Sequence, residues 1–452
     1  MVFVLGVALG APCVERGRVA IIAHRGGHDT APENTLAALD RAVELGLDFA
    51  EIDVRTAPDG TLVIRHDRLV AGLPPLPTLE AFLRAAKHRI NLYLDVKDAR
   101  AEPIVRLVRE TGMMLQTVVM GSDDLVAAVR GLDSRIRTMT PAGPPDRLDR
   151  LIREVRPSYV EFTRPNFSME GVARARAAGL TPFSSLASGG WDTDEAVEAL
   201  LDAGVCAIET DRPAAVRRVV EQRRKVAVIA HRWANREAPE NTLAAYRRAI
   251  ELGADYVEID VRETADGALV IMHDPTVDRM TDGSGAVSRL LLADLMRFRV
   301  RVNGPIPTLN DTFEALKGRV RFYFDWKNAA PERVAEALQR NGVVEDVVFY
   351  GDPQRLAELK KLEPRAQPMP EGLSPDNIDR LVELLTPAHI ALDQRDFTRE
   401  NVRRAHLYGA KVLADRLGRP DTEAHYREAL VWGVDGIQTD LPGRVAAVVR
   451  GR

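Results

Sequence analysis

Only two cysteines, Cys13 and Cys206, occur in 452 residues, too few for a disulfide framework or a zinc site. Cys206 sits in the apolar run GVCAIE and reads as a buried strand residue. No stretch approaches the ~20 apolar residues that a helix needs to cross a bilayer. Net charge is −4, so there is no basic excess to attract nucleic acid, and no run of like charge is long enough for a disordered tail. The many arginines are scattered through helix-like segments and read as solvated outer faces. Residues 1–18 open with MVFVLGVALGAPC, which is apolar and ends in small residues like a secretory signal. It is short and lacks the positive start such signals carry. It reads equally as a signal remnant or a plain extension, so export (periplasmic or secreted) and a cytoplasmic location both stay open.

What is present is said twice. IAHRGGHDTAPENTLAALDRAVELG and EIDVRTAPDGTLVIRHD, within residues 22–66, reappear within 229–273 as IAHRWANREAPENTLAAYRRAIELG and EIDVRETADGALVIMHD. His24 and His231, Glu51 and Glu258, Asp53 and Asp260, and His66 and His273 all stand 207 positions apart. That offset is far too long for a solenoid repeat and marks a duplicated domain. We divide the chain into residues 19–222 and 223–452, each long enough to bury a substantial core. Composition is ordinary for globular domains, with 45% hydrophobic and 28% charged residues.

Within one copy, residues 19–23 (VAIIA) form an apolar run that fits a strand buried on both faces. Asn34 or Thr35 can cap the helix that follows, in which Leu36, Leu39 and Val43 recur at helical spacing. Further strands are expected at residues 47–54, 61–66, 90–97, 117–120, 159–162, 180–183 and 205–209, with helix-patterned segments between most of them. The second copy repeats the order at 227–231, 256–261, 269–273, 321–327, 347–350, 390–392, 411–414 and 436–439. The turn Asp59-Gly60 is taken as a tight link between the second and third barrel strands rather than as a hairpin. Short apolar strands alternating with amphipathic helices imply a parallel sheet covered by helices. About eight such units per copy predict an α/β fold of two tandem (β/α)8 TIM-type barrels.

Side chains alternate along a strand, so Glu51 and Asp53 share one face, and Asp95 and Lys97 share one face. At the C-terminal ends of barrel strands these faces line the mouth, where barrel enzymes keep their chemistry. His24, Glu51, Asp53, His66, Asp95 and Lys97 therefore converge on one rim, as do His231, Glu258, Asp260, His273, Asp325 and Lys327. A single E-x-D or strand-end histidine carries little weight. The same set occurring twice points to function. Three carboxylates without cysteine favour a hard divalent cation, Mg²⁺ or Ca²⁺, over zinc. Two histidines supply a proton acceptor and a proton donor. Arg25 and Lys97, with Arg232 and Lys327 in the second copy, can neutralise a phosphate. Together these suit metal-assisted displacement at phosphorus.

The HRG, PENT, EIDV, HD and DxK series, closed by Thr210-Asp211-Arg212-Pro213 and Thr439-Asp440-Leu441-Pro442, resembles the glycerophosphodiester phosphodiesterase family in both halves. The resemblance implies a (β/α)8 barrel and a divalent ion held by Glu258, Asp260 and Asp325, or by Glu51, Asp53 and Asp95. It implies His231 and His273, or His24 and His66, as the acid/base pair, acting on a small glycerophosphodiester. The chain departs from the family in four places. Both copies have Asp where the third carboxylate is usually Glu, and Trp233 replaces a glycine beside His231. The aromatic-containing motif of the seventh strand is absent. The family's insertion after the HD motif spans 35 positions from His273 to Thr308 but 12 from His66 to Thr78, so the first mouth should be the more open. Two alternatives stay open: a lyase-like cleavage that releases a cyclic phosphate, and a barrel that only binds.

Overall fold

The computed structural model describes residues 19–70, 72–187, 190–232, 239–300 and 305–451. Residues 1–18, including Cys13, and Trp233 lie outside them. The chain divides into two compact units, one ending at Arg224 and the other beginning at Lys225. Among the described residues no helix is long and apolar enough to cross a membrane.

The first unit contains β1 (Ala20–Ala23), β2 (Phe49–Thr56), β3 (Leu62–Ile64), β4 (Asn91–Val96), β5 (Thr117–Met120), β6 (Arg137–Pro141), β7 (Tyr159–Phe162), β8 (Thr181–Ser185) and β9 (Ala207–Thr210). Eight of these run parallel in the order β1-β2-β4-β5-β6-β7-β8-β9, and β9 pairs back with β1 to close the barrel. The second unit contains β10 (Ala227–Ala230), β11 (Tyr256–Glu263), β12 (Leu269–Ile271), β13 (Arg321–Trp326), β14 (Val347–Tyr350), β15 (Gln367–Met369), β16 (His389–Leu392), β17 (Lys411–Asp415) and β18 (Gly436–Thr439). Its eight parallel strands nearly close, with a parallel bridge from Glu371 to Ala391 in place of a ladder between β15 and β16. Each unit is thus the expected (β/α)8 barrel.

Two expectations about the strands need correction. The segments 61–66 and 269–273 are not barrel strands: β3 and β12 run antiparallel to β2 and β11 as hairpins. A parallel connection needs a dozen or more residues, and the Asp59-Gly60 turn is far shorter. Gly60 takes φ 88°, and Ala57 N–H donates to the Thr61 carbonyl at 2.8 Å. The missing eighth strand is β6 in one unit and β15 in the other. Their sequences, RTMTP and QPM, are polar and proline-bearing and carry no apolar run.

The alternation read from the sequence sorts each barrel into two layers. Ile22, Phe49, Tyr93, Val118 and Phe183 pack inside the first barrel, while Ile21, Ala50, Ile52, Leu92 and Leu94 face the helices. Glu51 and Asp53 share the parity of Phe49, and Asp95 and Lys97 share that of Tyr93, so all four extend the inner layer toward the mouth. In the second barrel Tyr256 and Tyr323 are the inner residues, which gives Glu258, Asp260, Asp325 and Lys327 the same position. Threonines open the helix that follows the PENT motif in each unit. Thr35 accepts from Ala38 N–H to open the helix Leu36–Glu44, and Thr242 does the same for Leu243–Glu251.

A Cβ at Gly60 would meet nothing within 4 Å, so only its backbone conformation constrains it. Gly60→Ala should therefore cost the first unit about 1–2 kcal/mol, the penalty of the left-handed region, and Gly60→Asn less. Urea unfolding measures both, and a neutral alanine would contradict this turn.

Candidate active site

The strand register sets the site's electrostatics. Parallel pairing places Asp53 beside Asp95 and Asp260 beside Asp325. Like charges on neighbouring strands repel, and each pair is bridged by a lysine. Lys97 Nζ lies 2.8 Å from Asp53 and 2.6 Å from Asp95. Lys327 Nζ lies 3.0 Å from Asp260 and 2.6 Å from Asp325. Burial disfavours both ammonium charges, but the paired carboxylates outweigh it and raise both lysines above the ordinary value.

The remaining carboxylates are less well compensated. Burial, and then Asp260 and Asp325, push Glu258 well above the carboxylate range. Glu51 is raised in the same way by burial, Glu209, Asp53 and Asp95. Asp260 behaves differently: burial opposes its charge, yet Lys327 and the amide of Asn241 hold it below its ordinary value. Its Oδ1 is buried without a hydrogen bond. The ammonium 3.0 Å away supplies charge there but no aligned N–H. In each triad one oxygen per residue lies within 4.8 Å of the others, about the widest separation two Ca²⁺ ligands 2.4 Å from the ion can have. Charge, donor type and spacing all fit a hard divalent cation.

The PENT segment is built into this cluster rather than serving as a cap alone. Asn34 takes φ 58°, and its side chain donates to Asp53 Oδ2 at 2.8 Å while accepting from the Asp53 amide at 3.1 Å. Asn241 repeats the bond to Asp260 at 2.8 Å. The backbone amides of Arg25 and Arg232 each donate to the glutamate of the triad at 2.7 Å. Their guanidinium Nε atoms stand 3.6 and 3.7 Å from Asp53 and Asp260.

All four histidines are anchored through Nδ1. His231 contacts Asp440 at 2.8 Å and His273 contacts Asp274 at 2.7 Å. His24 contacts Asp211 at 2.8 Å and His66 contacts Asp67 at 3.0 Å. The four aspartates are held below the carboxylate range. For Asp274 the bond from Arg279 leads and brings it to about 2; for Asp440 burial opposes and the His231 bond outweighs it; for Asp211 and Asp67 the histidine bond leads. An ionised carboxylate only accepts, so each ring carries its hydrogen on Nδ1 and keeps Nε2 for other work. Burial lowers His24, but the Asp211 bond and Glu209 reverse this and raise it. The loops bearing the second histidines are held by Arg55 and Arg262, which donate to the His66 and His273 carbonyls at 2.7 and 2.6 Å.

The structure thus gathers the predicted carboxylates, lysines and arginines around one cluster in each unit, and gives the four histidines an equivalent anchor. Sequence reading gave no role to Asp211 and Asp440, although both recur in the Thr-Asp-x-Pro ending. Asn34, offered there with Thr35 as a possible helix cap, instead bonds Asp53, and Thr35 caps the helix. Several carboxylates were missed because they do not recur. Glu161 and Glu209 share the parity of inner residues on β7 and β9, where the second unit has Ala391 and Gln438. Burial, Glu209 and Asp95 push Glu161 up to about 8. In the second unit the extra acids are Glu371, Asp393 and Asp415, the last raised to about 7 by burial and then by Asp393 and Glu371.

Part of the segment after His273 packs into a small apolar cluster with the strand before it. Val277, Val287, Leu295 and Val300 bury against Val270 and Met272. Arg279 pairs with Asp274 at 2.6 Å and also with Glu240, tying the insertion to the PENT segment. Asp274 is 22% exposed and His273 30%, against 76% for Asp67 and 41% for His66. The second histidine and its aspartate are thus the more exposed in the first unit.

A model described as the glycerophosphoryl diester phosphodiesterase family matches residues 24–108 and 231–444. A glycerophosphodiester phosphodiesterase of Caldanaerobacter subterraneus subsp. tengcongensis is 31% identical over 252 residues, covering 50% of this chain and 98% of its own length. Glycerophosphodiester phosphodiesterase 1 of Mus musculus is 40% identical over 144 residues, 30% of this chain and 43% of that protein. Among solved structures, a glycerophosphodiester phosphodiesterase from Agrobacterium tumefaciens is 30% identical and covers 49% of this chain and 99% of its own, with a TM-score of 0.44. An Oleispira antarctica phosphodiesterase, solved with the product sn-glycerol-3-phosphate, is 25% identical and covers 51% and 99%, with a TM-score of 0.45.

Glu161 gives the site a pH signature. A carboxyl raised on folding binds its proton more tightly in the native state, so its contribution is full below the unfolded value near 4.5 and is lost as pH rises through about 8. With chelator present, the first unit's urea midpoint should fall between pH 5 and 8.5, and Glu161→Gln should flatten that slope. An identical slope in the variant would contradict the half-buried, acid-facing placement.

Proposed function

Because this chain belongs to the glycerophosphoryl diester phosphodiesterase family, we propose that it hydrolyses glycerophosphodiesters to an alcohol and glycerol phosphate. Each carboxylate triad takes Mg²⁺ or Ca²⁺, and the second unit is the more selective catalyst. The observation that carries this reading is that each unit holds two Nδ1-anchored histidines and a lysine-bridged triad. Bound by Glu258, Asp260 and Asp325, the cation would supply Lewis acidity toward a phosphoryl oxygen.

The chain's own groups provide the rest. His231, fixed by Asp440, and His273, fixed by Asp274, offer Nε2 as base and acid, one taking a proton from water and the other giving one to the leaving oxygen. Arg232 and Lys327 offset phosphate charge at the same rim. Lys327 also keeps Asp260 and Asp325 together while the site is empty of substrate. His24 with Asp211, His66 with Asp67, Arg25, Lys97, Glu51, Asp53 and Asp95 take the same parts in the first unit. There the shorter rim excludes less water and contacts less of the leaving group, which favours bulkier diesters over tight selection.

Phosphorus NMR on a panel of glycerophosphodiesters, with and without chelator, tests this. We expect glycerol phosphate as the product, no turnover in metal-free protein, and a bell-shaped dependence of kcat/KM on pH. His273→Ala should lower kcat on glycerophosphocholine-sized substrates by roughly 10²–10⁴-fold, and His66→Ala should change it little. A persistent cyclic phosphate would mean lyase-type cleavage. The reverse ranking of the two variants would make the first unit the working enzyme.

A further inference from the structure

Four residues after His24 the first unit carries a histidine that the proposed hydrolysis does not use. His28 Nε2 and His24 Nδ1 lie 2.8 Å from the same atom, Asp211 Oδ1. The two rings meet edge to face with centroids 6.0 Å apart. The three donor atoms all fall within 4.8 Å of one another.

Both halves of this cluster are fixed by backbone. Gly26 takes φ +82°, and a Cβ there would come 2.8 Å from the Ala38 Cβ. A Cβ on Gly27 would sit 2.9 Å from the Ala42 nitrogen. The Gly27 amide donates to the Ala38 carbonyl at 2.8 Å, pinning the turn against the helix Leu36–Glu44. The Asp211 amide donates to Asp192 at 2.9 Å, which holds the end of β9. The two glycines thus let the chain fold back so that His28 reaches Asp211. In the second copy the corresponding positions are Trp233, Ala234 and Asn235, so the sequence there offers neither the glycines nor the second imidazole.

We propose that His24, His28 and Asp211 form a site for a zinc-class transition metal, and that filling it silences the first unit. Two imidazoles and a carboxylate are the donor set Zn²⁺ prefers, whereas Mg²⁺ and Ca²⁺ prefer the all-oxygen triad nearby. Tetrahedral donors at 2.0–2.1 Å from zinc stand about 3.3 Å apart, about half an ångström wider than the present 2.8 Å contacts. Small outward rotations of the three side chains make that room. They are 23%, 29% and 40% exposed, so a hydrated ion reaches them and a water completes the fourth position. Coordination through Nδ1 moves the hydrogen of the neutral His24 ring to Nε2. That nitrogen then has no lone pair to take a proton, and Asp211 is lost to the ring as well. The silencing rests on the acid/base reading of His24; the metal site does not.

The test uses the full chain with Mg²⁺ in excess and Co²⁺ as the spectroscopic probe. Wild-type protein should take up one Co²⁺ with the strong visible bands of tetrahedral coordination. His28→Asn, which installs the second copy's residue, and His28→Gln should lose these bands and weaken binding by more than about 100-fold, with circular dichroism unchanged. In a His273→Ala background, where turnover reports the first unit, Zn²⁺ should inhibit, and His28→Asn should keep turnover while resisting Zn²⁺. Absent bands in the wild type, or equal bands in the His28 variants, would overturn the site. Equal zinc inhibition with and without His28 would overturn the switch. If the His273→Ala chain turns over no substrate, the fault lies with the hydrolysis reading, and the cobalt spectra still decide the site.

Discussion

Two neighbouring parallel strands, paired in register, set an aspartate directly beside an aspartate in both units: Asp53 with Asp95, and Asp260 with Asp325. A fold that only needed stability would not place like charges side by side in the inner layer. The rest of the site is an answer to that juxtaposition. A lysine two residues on, just past the end of the strand, returns to bridge the pair. An asparagine held at positive φ brings its amide to one carboxylate, and a backbone amide satisfies the neighbouring glutamate. These partners hold Asp260 ionised while Glu258 stays pushed toward its neutral form. A divalent cation would correct that imbalance.

Much of this was legible in the sequence because the chain carries its own control. Residues that recur at a fixed offset while their surroundings drift, such as His24 and His231 or Asp53 and Asp260, mark the cluster. Period-two alternation then tells which of them face inward. The duplication was less help where local chemistry is silent. β6 and β15 are polar and proline-bearing, and only their neighbours on the barrel make them strands. β3 and β12 have good strand composition but follow turns too tight for a parallel return. Asn34 and Thr35 were both legible as caps and Thr35 is the one used; the bond from Asn34 to Asp53 depends on a backbone conformation that composition does not reveal. Glu161, Glu209 and Asp415 left no repeated signal, since each unit places its extra acids on different strands.

Those differences matter beyond bookkeeping of the repeat. The two units share the inner cluster and diverge around it, in the acids of the far strands, the length of the segment after the second histidine, and the turn after the first. The family match follows the same line, reaching residue 108 in the first unit and spanning 231–444 in the second. Duplication has left one cluster in two settings, one beside a longer insertion and one with an additional histidine.

The claim on which everything else depends is that each in-register aspartate pair belongs to a cation site. Mn²⁺ titration of the metal-free full chain, followed by electron paramagnetic resonance of the free ion, tests it directly. Two tightly bound ions per chain are expected, one fewer in Glu51→Gln, one fewer in Glu258→Gln, and none in the double variant. A stoichiometry that neither substitution changes would contradict it.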